Sequence, residues 1–138
     1  MEQNKGKEIA RQFLGIPYRH GGRDSTGLDC LGLVYLFYKK LEIEIPTDDG
    51  RPYTTDWYKT DPERFVRGLL QVGRGINLNT EQLQPFDLVY FRVGGAVTHA
   101  GVMVDHRSFL HVMTGQSVRI TPLNLAWKRR LRGARRLR

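Results

Sequence analysis

Residues 87–122 read DLVYFRVGGAVTHAGVMVDHRSFLHVMTGQSVRITP. Four short apolar runs lie inside this stretch: DLVYFRV at 87–93, VTHAGVMV at 97–104, SFLHVM at 108–113 and SVRITP at 117–122. GG, DHR and TGQ separate them, so the pattern is that of an antiparallel meander. Upstream the period changes. Cys30, Leu33, Val34, Phe37 and Leu41 recur at i, i+3, i+4, i+7 and i+11, which lays one apolar stripe along a helix beginning at Cys30. Asp29 precedes it as a candidate N-cap, and Lys39 and Lys40 fall in the last turn, where the helix dipole favours cations. Residues 2–14 predict a shorter helix with Ile9, Ala10, Phe13 and Leu14 at helical spacing, stopped by Gly15 and Pro17. Residues 62–71 predict another, with Phe65, Leu69 and Leu70 inward. YRHGGRDSTGLD at 18–29 reads as loop, and PTDDGRPYTTDWYKT at 46–60 as irregular surface. Helices first and strands afterwards predict an α+β fold, N-terminal helices packed on a C-terminal antiparallel sheet. With 138 residues and no internal repeat, one domain spans 1–138.

The net charge of +8 is local. Residues 128–138, KRRLRGARRLR, hold seven basic residues and no acid, leaving 15 basic against 14 acidic residues elsewhere. The expectation is a solvated basic tail, 128–138, part of which forms an edge strand; an anionic wall polymer or nucleic acid is the partner such a tail suits. No run approaches the roughly 18 apolar residues of a membrane helix. The N-terminus lacks the apolar core of a secretory signal, so the expected site of synthesis and retention is the cytoplasm.

The chain has one cysteine, which rules out an internal disulfide and zinc sites of the CxxC kind. A lone thiol is commonly a small buried hydrophobe. This one opens a helix after a Gly-rich loop, where free N–H groups favour a thiolate and can receive an oxyanion. That placement predicts substantial thiolate character at neutral pH. His99 and His111 fall in adjacent predicted strands. A hairpin loop at 104–106 gives paired residues an index sum of 210 and sets the two imidazoles opposite one another; a loop at 105–107 gives 212 and makes them diagonal neighbours. A two-residue loop gives 211 and sends them to opposite faces. Two adjacent imidazoles suit a relay, one taking the thiol proton and the other orienting it. Zinc on Cys30, His99 and His111 is the chemical competitor, but the usual ligand spacings are missing, so no metal is expected. His20 and His106 read as loop residues outside the chemistry.

PYRHGGRDSTGLDCLGLVYLFY, LQPFDLVYF, THAGVMV and FLHV together resemble the NlpC-type cell-wall cysteine peptidases of the papain-like superfamily, across roughly residues 8–136. The resemblance implies a papain-like fold, with Cys30 as nucleophile, His99 as general base and His111 as the polar residue that orients it. It implies that Tyr18 helps shape the oxyanion site and that Asp29 lies near the substrate's amino end. The implied substrates are peptidoglycan stem peptides, cut between D-glutamate and a diamino acid, without a cofactor. Leu31 stands where serine is usual, His20 where tryptophan is usual, and Phe86 where a PGD turn has glycine. PYRH and DCLGL look more like the versions in phage tail-assembly proteins, which makes phage tail proteins expected partners and a virion tail acting at the wall a second expected location. An inactive binding or assembly module, and a cysteine acyltransferase or deamidase, are the alternatives on the same fold.

Overall fold

The computed structural model describes residues 2–45, 57–59, 61 and 64–137. Helix α1 (Glu2–Arg11) leads to a two-stranded turn, β1 (Arg23–Asp24) with β2 (Gly27–Leu28), and then to helix α2 (Cys30–Lys39). A 3-10 turn at Trp57–Lys59 and helix α3 (Arg64–Leu69) follow; the rest of the expected irregular segment 46–60 lies outside the described residues. The remaining strands are β3 (Arg74–Gly75), β4 (Leu88–Val93), β5 (Ala96–Met103), β6 (Ser108–His111) and β7 (Arg119–Pro122). Helix α4 (Leu125–Arg130) and strand β8 (Leu131–Arg136) complete the chain order. One antiparallel sheet runs β3-β8-β4-β5-β6-β7. The α+β reading therefore stands.

Both faces of the sheet are covered, because side chains alternate along each strand. Leu88, Ala100, Val102 and Leu110 face the first layer, where they pack with Ile9, Leu33, Val34, Phe37 and Phe65 from the helices. Val89, Phe91, Met103 and Phe109 face a second, smaller cluster closed by Leu123, Ala134 and Trp127 of α4. No helix among the described residues is long and apolar enough to cross a membrane.

Part of the expected basic tail forms a strand, as read, but that strand is not at an edge. Strand β8 is interior to the sheet, flanked by β4 and, over two residues, by β3. Arg136 forms a two-pronged ion pair with Asp87, from Nε at 2.9 Å and Nη2 at 2.8 Å. Asp87 is buried, 1% exposed. Arg135 donates to the carbonyls of Leu70, Val72 and Gly73, which lie just past α3. Arg135 and Arg136 are thus structural, while Lys128, Arg129, Arg130 and Arg132 are exposed.

Phe86 takes a backbone conformation that glycine would adopt without cost, φ +76°. Left-handed geometry costs a residue with a Cβ about 1–2 kcal/mol. What offsets it is the ring, buried at 6.3 Å from Phe37, together with a turn held by bonds from Phe86 N to Met103 O (2.8 Å) and from Tyr38 Oη to Phe86 O (2.5 Å). The departure from PGD is a trade of backbone ease for buried apolar surface.

Candidate active site

Cys30 is the first residue of α2, and one carboxylate fixes that helix start. Asp29 Oδ1 accepts the Gly32 amide at 2.8 Å and the Arg23 guanidinium at 2.6 Å, while Oδ2 accepts the Gly21 amide at 3.0 Å. A Cβ on Gly32 would stand 2.1 Å from the Gly22 carbonyl oxygen, so only glycine lets the loop lie this close to the first turn. Asp29 is 5% exposed and its oxygens are spent on cap and loop. These bonds give Asp29 an architectural task at the start of α2.

The Cys30 thiol abuts β5. Its S–H donates to the Thr98 carbonyl at 3.8 Å, and the Ala100 and Leu31 amides favour the sulfur as an anion. Thr98 and Ala100 flank His99. Ala100 turns toward the helices, so His99 turns toward the second cluster, where Phe91 is its partner on β4. The thiol thus meets β5 at the backbone of the two residues that flank His99.

The hairpin register decides the imidazoles. Val102 pairs with Leu110 and Met103 with Phe109, an index sum of 212. Asp105 sets this by accepting the amides of Arg107 and Ser108, both at 2.7 Å, which closes a loop at 105–107. His99 and His111 are consequently diagonal neighbours on one face, with His99 Nε2 2.9 Å from His111 Nδ1. Gly101 makes the room: a Cβ there would lie 2.6 Å from the Leu110 carbonyl oxygen and 2.9 Å from the Phe109 ring. His111 Nε2 in turn lies 2.7 Å from Thr121 Oγ1. Among the described residues nothing hydrogen-bonds His99 Nδ1, the nitrogen left for a thiol.

Trp127 closes this face. Its ring is 5.6 Å from His99, 5.1 Å from His111, 5.0 Å from Phe91 and 5.2 Å from Phe109, with the Arg130 guanidinium 5.2 Å over it. Asn124 caps α4 by accepting the Trp127 amide at 3.1 Å. Tyr18 lies at the other rim. Burial raises the pKa of its hydroxyl, a bond with Thr114 opposes the shift, and the charges of Asp29 and Cys30 add to it. The Tyr18 hydroxyl therefore feels the charge of the Cys30 sulfur. His106 bonds the Leu83 carbonyl at 2.8 Å, and His20 remains in the loop before β1.

Burial and then the Asp29 charge push the Cys30 thiol up to about 12, the reverse of the thiolate expected from the helix start alone. Burial pushes His99 down to about 3, with His111 adding to it, and His111 down to about 4, with Arg119 adding. In this arrangement thiol and imidazoles are all neutral. An unfolded imidazole titrates near ~6.5. The folded values lie below that, so the stability is complete above pH ~6.5 and is lost as pH falls toward the folded values. Between about pH 6.5 and 5, each imidazole should remove about 2 kcal/mol of stability, the coupled pair titrating in two macroscopic steps. Urea midpoints measured over that window should fall; a flat profile would mean that the rings protonate freely.

Thr121 and Trp127 escape a sequence reading because neither carries a catalytic signature. A register signal for Thr121 exists: it pairs with Phe109, which shares a face with His111.

A helix opening on a cysteine, packed on an antiparallel sheet that carries two bonded imidazoles, makes this an α+β domain with a thiol and an imidazole pair on adjoining elements. Residues 15–136 match the NlpC/P60 family, and the chain belongs to it. It is 38% identical over 132 residues to murein DD-endopeptidase MepH of Escherichia coli strain K12, covering 91% of this chain and 42% of that protein. It is 30% identical over 115 residues to the gamma-D-glutamyl-L-lysine dipeptidyl-peptidase of Bacillus subtilis strain 168, covering 80% of this chain and 32% of that one. The crystal structure of an NlpC/P60 family protein from Bacillus cereus ATCC 10987 superposes with a TM-score of 0.73 at 26% identity, over 98% of this chain and 40% of that one. The chain spans about half the length or less of these curated relatives.

Proposed function

We propose that this chain is a cysteine peptidase that hydrolyses amide bonds in peptidoglycan stem peptides, with Cys30 as nucleophile, His99 as base and His111 as its orienting partner. The observation that carries the reading is the His99–His111 bond, which occupies Nε2 and leaves Nδ1 on the residue between Thr98 and Ala100, whose backbone groups the thiol meets. Because thiol and imidazole rest neutral, the proton moves from Sγ to Nδ1 as the sulfur attacks the carbonyl carbon. The Cys30 and Leu31 amides that open α2, together with the Tyr18 hydroxyl, are the donors for the developing oxyanion. His99 then returns the proton to the departing amine, leaving a thioester that water hydrolyses with His99 again as base.

The relatives' names point to two bonds, a D,D cross-bridge and the γ-D-glutamyl–diamino acid bond. Leu31 is apolar and packs against the core, and Asp29 is spent, so neither holds a free substrate ammonium. A buried ammonium without a partner loses about 1–3 kcal/mol of binding. That favours intact or cross-linked stems over peptides ending in free L-alanine. Purified cross-linked and monomeric muropeptides, digested and weighed by mass spectrometry, test the reading. Cleavage of cross-linked or glycan-attached stems is expected; cleavage confined to free-amine peptides would overturn the specificity, and intact substrates throughout would overturn the hydrolase. PYRH and DCLGL support a phage-tail setting, which the flanking genes would test.

A further inference from the structure

The hydrogen-bonded chain ends on a half-buried hydroxyl, that of Thr121, which takes no part in the proton transfer itself. Thr121 Oγ1 lies 2.7 Å from His111 Nε2, and the other nitrogen of that ring lies 2.9 Å from His99 Nε2. A neutral imidazole carries one N–H, so this chain has two possible directions. In the first, His99 donates from Nε2 to His111 Nδ1, and His111 donates from Nε2 to the Thr121 oxygen. His99 Nδ1 then bears a bare lone pair. In the second, Thr121 donates to His111 Nε2, His111 donates from Nδ1 to His99 Nε2, and the His99 proton sits on Nδ1. Only the first direction provides a base for the thiol.

Bulk water is a poor substitute for the hydroxyl here. His99 is 4% exposed and His111 2%, with Phe91, Phe109 and Trp127 packed around the rings. Without an acceptor at position 121, the first direction strands a buried N–H. The second strands only a lone pair, and orphaned donors are the rarer and costlier of the two. We propose that Thr121 is a positioning residue: by accepting the His111 Nε2 proton it sustains the tautomer in which His99 Nδ1 is free to receive the Cys30 proton. Its kinetic consequence rests on the hydrolase reading; the tautomer itself belongs to the folded protein alone.

The test is nitrogen-15 NMR of the histidine rings in the whole chain, above pH 7, for the wild type, Thr121→Val and Thr121→Ser. Valine keeps the shape and removes the acceptor; serine keeps the hydroxyl. Wild type and Thr121→Ser should show protonated Nε2 and bare Nδ1 on His99. Thr121→Val should move most of the population to Nδ1–H on both rings, and Thr121→Ala gives the same readout should the valine variant not fold. On muropeptides, kcat should drop at least tenfold in Thr121→Val with KM unchanged, and Thr121→Ser should recover most of it. Identical ring tautomers in wild type and Thr121→Val, or Nδ1–H on wild-type His99, would overturn the proposal. The expected tautomer shift in a protein that cuts no muropeptide would uphold it and remove the hydrolase instead.

Discussion

Cys30→Ala should bring stem-peptide hydrolysis down by at least about 10⁴-fold, because no other residue can form the thioester. The thermal midpoint should barely change, since the cap and loop bonds at the α2 start run through Asp29, Gly21, Gly32 and Arg23 and none uses the sulfur. His99→Ala should cost about 10²–10⁴-fold, the range for losing a general acid–base. His111→Ala should cost less, as His111 transfers no proton. His111→Asn should restore part of the loss, because its side-chain oxygen can accept from His99 Nε2 where Nδ1 does now. Rates on muropeptides for the four variants, with circular dichroism as the fold control, check the series. Full activity in Cys30→Ala would end the thiol mechanism, and equal losses for His111→Ala and His111→Asn would end the orienting role.

The largest effect on stability should come from Arg136. Arg136→Met leaves the Asp87 carboxyl 1% exposed and without its two-pronged partner, and breaking such a pair costs about 3–5 kcal/mol. Asp87 keeps the Gln84 amide at 2.8 Å, which softens the loss without cancelling it. Asp87→Asn combined with Arg136→Met should recover part of the stability, since no unpaired charge then remains buried. Arg129→Ala, exposed on α4, should stay within about 0.5 kcal/mol of the wild type. Urea unfolding distinguishes these outcomes. Were Arg136→Met as harmless as Arg129→Ala, β8 would be the appendage that its composition suggests.

That composition explains where the sequence stopped being legible. The α2 stripe announces itself by period, and the structure starts the helix at Cys30 as read. The four runs at 87–122 become β4 to β7 with ends shifted by a few residues. The hairpin was reducible to three registers by parity, and the choice among them lies with Asp105, whose carboxylate binds two amides of the loop. Strand β8 offers no such local cue. LRGARR has no β-branched residue, and its arginines look solvated until Asp87 and the carbonyls after α3 are known to be beside them. Thiol ionisation fails for a related reason. Helix position, which favours the anion, is written in the sequence; burial, which opposes it more strongly, is not.

The sheet order also bears on how the chain reaches its native state. Strand β4 pairs with β5 across a tight hairpin, but its other neighbour is β8, which follows β5, β6, β7 and α4 along the chain. During synthesis the outer edge of β4 must wait, its amides and carbonyls open, while all of these emerge. An unpaired edge of that kind is a template for intermolecular pairing. Loop closure over such a separation also slows folding relative to local pairing. The segment that protects the edge is the one that carries Trp127 over the imidazoles, so docking of α4 and β8 finishes the sheet and encloses the site together. A nascent chain halted before Leu125 would hold a cysteine helix and a meander, with an exposed strand edge and imidazoles open to water.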